Sequence, residues 1–396
     1  MGKGLLSVVV GNTPGVRGAV VDQLLRLAPR AVVLAVSIQA QAQGRGYPTV
    51  QRFLYGSGAA LPGRALQGAT GDPVVILRQD LLSLRRSPGA AHVVLALPDN
   101  VDALPLLVEL WRPRVSSGSL GDHYDAAPVV VGIDTESFMA DIGCVHRTER
   151  LWSGGDQGES VTPAEAAARQ VEAADALIVP RPAGSAHQPG GAELLRQLNG
   201  RALLMSPVGT DGAARELPVS LVHALPKGAD EEWRSRLEPV VPPRPCRDGG
   251  REVRSLYWHA RRPLHPERLT DALAVVMSGV VRGRGHLWLC SRPDAVVTWR
   301  SAGAYLELRE ADRWLEEDDP RGWQTASPQR RTLASWYWHD YYGERRNEIT
   351  LTGVALDQQA VRSALDRALL TDVELSRGRR GWTSVPDPLL GDLGGR

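Results

Sequence analysis

Apolar positions along this chain change period at several points, and each change marks an element. Residues 5–10 form a short apolar run of strand type, and apolar side chains at 20, 21, 24 and 27 line one face of a helix. Residues 31–38 read as a second strand, whereas 74–84 mix both periods. The runs 93–97, 129–133 and 176–179 are apolar throughout, as parallel strands buried on both faces are. Between the last two, 163–174 predict a helix with Thr162 as N-cap and Pro163 in its first turn. Strands alternating with helices predict a doubly wound α/β sheet for the first half. Residues 40–70, rich in Gln, Gly and Ala, read as a long surface loop.

From 209 to 252 the periodicity fades. Pro239, Pro242, Pro243, Pro245 and the Gly249-Gly250 pair predict an interdomain linker at 226–250, between domains at 1–225 and 251–375. The second domain reads as α+β, with strands at 253–258, 286–290, 295–299 and 349–354 and helices at 266–276 and 356–370. The Gly/Arg/Pro-rich tail, 376–396, reads as flexible. Eight of the eleven tryptophans lie beyond residue 250, which predicts different cores for the two domains.

Composition narrows the function classes. A chain of 396 residues can bury its cores without staples. With 46 basic and 45 acidic side chains its net charge is +1, which speaks against a general nucleic-acid coat or free DNA as partner. All basic residues except Lys3 and Lys227 are arginine, so an arginine run is weaker testimony for phosphate binding than usual. Cys144, Cys246 and Cys290 are too few and too scattered for a disulfide framework or a zinc ribbon. No apolar stretch reaches the ~18 residues of a membrane span, and the N-terminus lacks a cleavage-site pattern. A cytoplasmic protein with no membrane partner is expected.

The second half carries an ordered set of motifs. Arg262-Pro263-Leu264-His265-Pro266-Glu267-Arg268-Leu269 is followed by Gly279 to Leu289, which includes Arg282-Gly283 and Trp288. Trp299-Arg300-Ser301-Ala302-Gly303 and Trp314 come next, then Gly343-Glu344-Arg345-Arg346-Asn347-Glu348, then Leu369-Leu370-Thr371-Asp372-Val373-Glu374. This series resembles the CobW C-terminal domain. The resemblance implies a SIMIBI-type P-loop GTPase domain ahead of it, with a mostly parallel doubly wound sheet. It also implies GTP-dependent handling of zinc or cobalt.

The residues that such chemistry needs can be sought one by one. A phosphate loop reads G-x-x-x-x-G-K-[ST], where glycines let backbone N–H groups wrap the phosphates and the hydroxyl holds magnesium. The matching place holds Gly11-Asn12-Thr13-Pro14-Gly15-Val16-Arg17-Gly18, with valine for glycine, arginine for lysine and no hydroxyl. Arginine is a broad fork rather than a compact ammonium. Where the family carries G-C-x-C-C, this chain has Gly71-Asp72-Pro73-Val74-Val75, followed by matching Arg78, Asp80 and Leu81. One aspartate cannot replace soft thiolates. The strand ending Leu97-Pro98-Asp99 lacks the family's glutamate and glycine, and Pro180-Arg181-Pro182-Ala183 stands where N-K-x-D should read guanine. By contrast, Asp134, Phe138 and Asp175 match the family pattern. The hydrophobic frame is kept while four chemical elements are missing.

Other constellations are weaker. Cys144 and His146 offer two close ligands without a third and fourth, and His259, His265, His286 and Cys290 converge only if their strands are neighbours. Trp336, Trp338 and Tyr341 with Arg345 and Arg346 make the densest aromatic–basic cluster, suited to stacking bases, gripping a protein partner, or packing a core.

The expectation is a degenerate P-loop domain followed by a CobW C-terminal domain, with no catalytic residues, no metal site and no cofactor assigned. The chain is expected to be a pseudo-GTPase that binds partners in zinc homeostasis. It is similar to a family subgroup with eroded phosphate loops, a mycobacterial member of which recruits a hibernation factor to the small ribosomal subunit. The alternative is a GTP-dependent zinc or cobalt metallochaperone with a divergent P-loop, using GTP with magnesium or zinc.

Overall fold

The computed structural model describes residues 2–41, 46–56, 63–87, 90–114, 118–155, 157–180, 189–207, 216–241 and 252–391. The chain divides into two compact units, Met1–Ala192 with Arg201–Trp233, and Glu193–Gly200 with Arg234–Arg396.

The first unit contains strands β1 (Gly4–Gly11), β2 (Val32–Gln39), β3 (Thr49–Gly56), β4 (Arg64–Thr70), β5 (His92–Ala96), β6 (Tyr124–Gly132), β7 (Glu149–Leu151), β8 (Glu159–Val161), β9 (Ala176–Ile178) and β10 (Leu203–Met205). Helices α1 (Pro14–Leu27), α2 (Pro73–Arg86), α3 (Ala103–Trp111), α4 (Thr135–Ile142) and α5 (Pro163–Ala173) alternate with them. The sheet order is β10-β9-β6-β1-β5-β2-β3-β4, parallel except for the last two pairings, and β7 and β8 form a separate hairpin. Val8, Val9, Val10, Val93, Val94 and Leu95 in the central strands are all almost fully buried, as expected where both sheet faces are covered.

The structure corrects two expectations in this unit and beside it, and resolves one open reading. Residues 40–70 are not one long loop, because β3 and β4 form an antiparallel hairpin on the sheet edge. β4 is exposed along most of its length, so no alternation of apolar side chains announces it. Residues 74–84 lie in α2, where Pro73 opens the helix and Val74, Ile76, Leu77 and Leu81 are buried. The expected linker at 226–250 contains helix α7 (Ala229–Leu237), preceded in the chain by α6 (Pro189–Leu198). Acidic Asp230, Glu231 and Glu232 begin α7 and Arg234 and Arg236 end it, the order that suits a helix dipole. Its Trp233 is buried edge-on against Trp111, with ring centroids 5.0 Å apart. Pro242, Pro243, Pro245, Cys246 and Gly249-Gly250 lie outside the described residues.

In the second unit, β11 (Val253–Ala260), β12 (Val280–Leu287), β13 (Ala295–Ala302), β14 (Tyr305–Arg313) and β15 (Asn347–Val354) make an antiparallel sheet ordered β11-β15-β12-β13-β14. Helices α8 (Pro266–Val276) and α11 (Gln358–Ala368) cover one face, with Leu269, Val276, Val361 and Leu365 packed on Trp258, Leu287, Trp299, Ile349 and Leu351. Between β14 and β15 run α9 (Pro320–Thr325) and α10 (Pro328–Tyr337), and α12 (Asp372–Ser376) and α13 (Gly378–Trp382) follow α11.

The tail is the clearest correction here, since residues 376–391, although largely exposed, are anchored through buried Trp382 and Asp387. Trp382 sits edge-on to Trp288 at 6.1 Å, and its Nε1–H donates to Glu374 O at 2.9 Å. Buried Asp387 accepts from Arg292 Nε at 3.0 Å and from Ser291 Oγ at 2.7 Å.

Candidate functional site

β1 lies between β5 and β6, and the turns after these strands meet at the carboxyl edge, where doubly wound sheets form a binding crevice. Asn12 and Asp134 lock two of the turns together. Asn12 Nδ2 donates to Asp134 O at 2.9 Å, and Asp134 N–H donates to Asn12 Oδ1 at 2.7 Å.

Only Asn12 and Thr13 separate β1 from α1, so Gly15, Val16, Arg17 and Gly18 are already helical. Thr13 caps the helix by accepting from Val16 N–H at 3.3 Å. Gly11, Gly15 and Gly18 all avoid the left-handed region, so the alternating backbone hand that wraps N–H groups around an anion does not form. A Cβ on Gly11 would stand 2.9 Å from the Arg17 backbone nitrogen, which explains that glycine by the close approach of α1. On Gly132 a Cβ would collide with Val16 Cγ1 and lie 2.9 Å from Val20 Cγ2. Val16 is thus packed onto the end of β6. The Arg17 guanidinium donates to Leu97 O at 3.2 Å and is half-buried. Gly18 has no side chain to hold magnesium. The residues at 11–18 therefore do not fit a magnesium-bound nucleoside triphosphate.

The stretch at 71–75 is also structural. Asp72 is the N-cap of α2 and accepts from Val74 N–H at 2.8 Å. Val74 is buried beside Gly154, and Val75 faces outward. Arg78 is buried and donates to the carbonyls of Leu110, Arg112 and Gly118, while Asp80 pairs with Arg52 at 2.8 Å. This donor set, one capping carboxylate and two valines, does not fit zinc or cobalt. Phe138 is fully buried, and Asp175 Oδ2 accepts from Val129 N–H at 2.9 Å. Arg181, Pro182 and Ala183 lie outside the described residues.

The other metal candidates do not assemble a site, although His259 and His286 both lie opposite Glu348 in the register of the second sheet. Among the described residues, no three His, Cys, Asp or Glu side chains are arranged to hold a metal ion. Cys144 hydrogen-bonds to Arg147, which lowers its thiol pKa. His265 is the N-cap residue of α8, and its N–H donates to Ala368 O at 2.8 Å. Cys290 is buried, and burial pushes its thiol up to about 12. His286 is wholly buried, 3.7 Å from Glu348 and edge-on to Trp314. Burial, with Arg346 nearby, holds it well below the ordinary histidine pKa, so it is neutral.

The second unit's motif residues tie distant segments together. Arg268 forks onto Glu374 at 2.8 and 2.9 Å and also donates to Leu369 O, which holds Glu374 down to about 2. Arg262 pairs with Asp372 at 2.8 Å, and Trp288 N–H donates to Asn347 Oδ1 at 2.7 Å. Gly343, at φ +62°, closes a turn with His339. Glu348 pairs with Arg346 at 3.3 Å and accepts from the Tyr257 hydroxyl at 2.7 Å.

The cluster at 336–346 does not form the single surface that its sequence suggests. Arg345 and Arg346 are 2% and 1% exposed. Arg345 donates to Pro293 O at 2.9 Å and pairs with Asp294 at 3.2 Å and with Glu316. Arg346 donates to Glu344 O and lies 5.7 Å from the Tyr337 ring centroid. Trp338 is half-buried against Trp323, whereas Trp336 and Tyr341 are each 75% exposed. Arg345 reads as a surface arginine only while its carboxylate partners, Asp294 and Glu316, 51 and 29 residues earlier, are unknown.

Residues 253–369 match the cobalamin synthesis protein cobW C-terminal domain. The chain is 28% identical over 332 residues to the zinc chaperone Rv0106 of Mycobacterium tuberculosis, covering 82% of this chain and 79% of that protein. The second unit is therefore similar to the CobW C-terminal domain. Another relative, zinc-regulated GTPase metalloprotein activator 1 of Dictyostelium discoideum, is 26% identical over 201 residues, covering 50% of this chain and 41% of that protein. A solved structure, the Zn(II)-bound YjiA GTPase from E. coli, aligns over 93% of this chain and 100% of its own at 11% identity and a TM-score of 0.34. Among the described residues, no helix is long and apolar enough to cross a membrane.

Sequence reading missed two buried ionic groups. Arg330 is 3% exposed and holds fully buried Glu344 through Nε and Nη2 at 2.9 and 2.8 Å, with Asp312 at 2.7 Å. Arg169 gathers Asp102, Glu159 and Glu165 at 3.1, 2.5 and 2.7 Å. Only the i,i+4 spacing of Glu165 and Arg169 signalled either group in advance.

Proposed function

We propose that this chain is a CobW-family protein that acts in zinc handling as a cytoplasmic partner-binding factor working without GTP hydrolysis. The observation that carries the reading is the first turn of α1. It takes up residues 14–18, seats Val16 on Gly132 and ties Arg17 to a carbonyl. The names of the relatives, a zinc chaperone and a zinc-regulated activator, support the zinc connection.

The subgroup resemblance points to the small ribosomal subunit or a hibernation factor as partner. Co-sedimentation of the full chain with ribosomes from zinc-limited cells, with and without added GTP, tests this. The reading expects association that nucleotide does not alter. Association only with GTP would instead support the second reading, a GTP-dependent zinc or cobalt metallochaperone, which the Dictyostelium relative's GTPase name favours.

A further inference from the structure

Most tryptophans of the second unit are buried, so its exposed aromatics stand out. Among the described residues, Trp336 and Tyr341 have the largest exposed fractions of any large apolar side chain. Exposed aromatics scattered singly are ordinary, but a contiguous group of them marks a recognition surface. Tyr341 is held in place. His339 Nδ1 accepts from the N–H groups of Tyr341 and Tyr342 at 3.1 and 3.3 Å, and the His339 and Gly343 backbones close the turn at 2.7 and 3.1 Å. Tyr342 stacks on His339 and meets Tyr341 edge-on, both at 4.9 Å. A rigid aromatic loses little freedom on binding.

The strip continues from this turn. Trp338 lies against Gly343 and 5.8 Å from Trp323, whose Nε1–H donates to Glu316 O at 2.8 Å. Beyond it stands the exposed run Glu317, Asp318 and Asp319, and Asp340 is exposed within the turn itself. Along 316–343 the exposed charges are thus four carboxylates and two arginines, Arg321 and Arg331, with half-exposed Arg379 at the edge of the strip, 3.9 Å from Glu316. The arginines that would have gripped phosphates are consumed inside the fold. Aromatic faces beside carboxylates attract guanidinium and ammonium groups and repel phosphate.

We propose that the strip from Glu317–Asp319 across Trp323 and Trp338 to Tyr341, with Trp336 beside it, docks an arginine- or lysine-bearing segment of a protein partner. Recognition here is independent of the phosphate-loop region, so it can hold or fail whatever nucleotide does. The test uses the full chain and three labelled probes in fluorescence polarisation at physiological salt: a short peptide alternating arginine and glycine, its glutamate counterpart, and a single-stranded RNA of equal length. Saturable binding of the basic peptide alone is expected, weakened roughly tenfold, ~1.4 kcal/mol, by W336A with Y341A and by D318K with D340K. All four side chains are exposed, and unchanged thermal unfolding checks that both variants keep their fold. RNA bound as well as the basic peptide, no binding of that peptide, or binding that survives both variants would overturn the proposal.

Discussion

Arg345 distinguishes a buried structural arginine from a surface one, and Arg345→Ala turns that difference into a stability measurement. The guanidinium donates to Pro293 O, Tyr342 O, Asp294 and Glu316, and the side chain is 2% exposed. Its carboxylate partners are 57% and 42% exposed, so water rehydrates them once the arginine is gone. What remains is the loss of charge-assisted hydrogen bonds, at about 1.5–3 kcal/mol each before rehydration, and of the buried stem. A net cost of about 3 kcal/mol follows, or about 6–12 °C in Tm for a unit of this size. Arg330→Ala should cost more, about 3–5 kcal/mol, because it strands Glu344, which is 0% exposed. Urea unfolding followed by tryptophan fluorescence reads this unit selectively, since eight of eleven tryptophans lie in it. The order Arg330→Ala, then Arg345→Ala, then wild type is expected. An Arg345→Ala protein as stable as wild type would refute the buried-network reasoning.

Asp72→Ala should cost about 1 kcal/mol as a lost helix cap and leave zinc titration calorimetry unchanged; weakened zinc binding would show that Asp72 is a ligand. Gly132→Ala should destabilise the first unit by about 1–3 kcal/mol by overpacking against Val16 and Val20, read from its thermal transition. For His286 the folded pKa lies below the unfolded value of about 6.5. The unfolded chain therefore takes up the proton first, and stability present above about 6.5 erodes as pH falls, by up to ~1.4 kcal/mol per pH unit. His286→Leu should flatten the fall in urea midpoint between about pH 7 and 5; identical slopes would contradict a neutral buried imidazole.

What the sequence made legible was whatever repeats locally. The apolar runs at 93–97 and 129–133 are strands β5 and β6, and Thr162-Pro163 opens α5 as its capping chemistry requires. The substitutions at 16–18 and 72–75 were visible as letters, but that Val16 fills the space over Gly132 and Asp72 caps α2 required coordinates. Pairings across long separations stayed hidden. Arg292 with Asp387 and Trp288 with Trp382 hold a tail whose composition alone reads as free chain. β4, exposed along most of its length, carries no burial signal for a pattern to record.

On the proposed reading, the turn after β1 is folded into α1 and leaves no cradle for a triphosphate. Titration of the full chain with a fluorescent GTP analogue, with magnesium and with EDTA, tests it most directly. No saturable signal is expected up to millimolar nucleotide under either condition, whereas magnesium-dependent binding at micromolar concentration would contradict it.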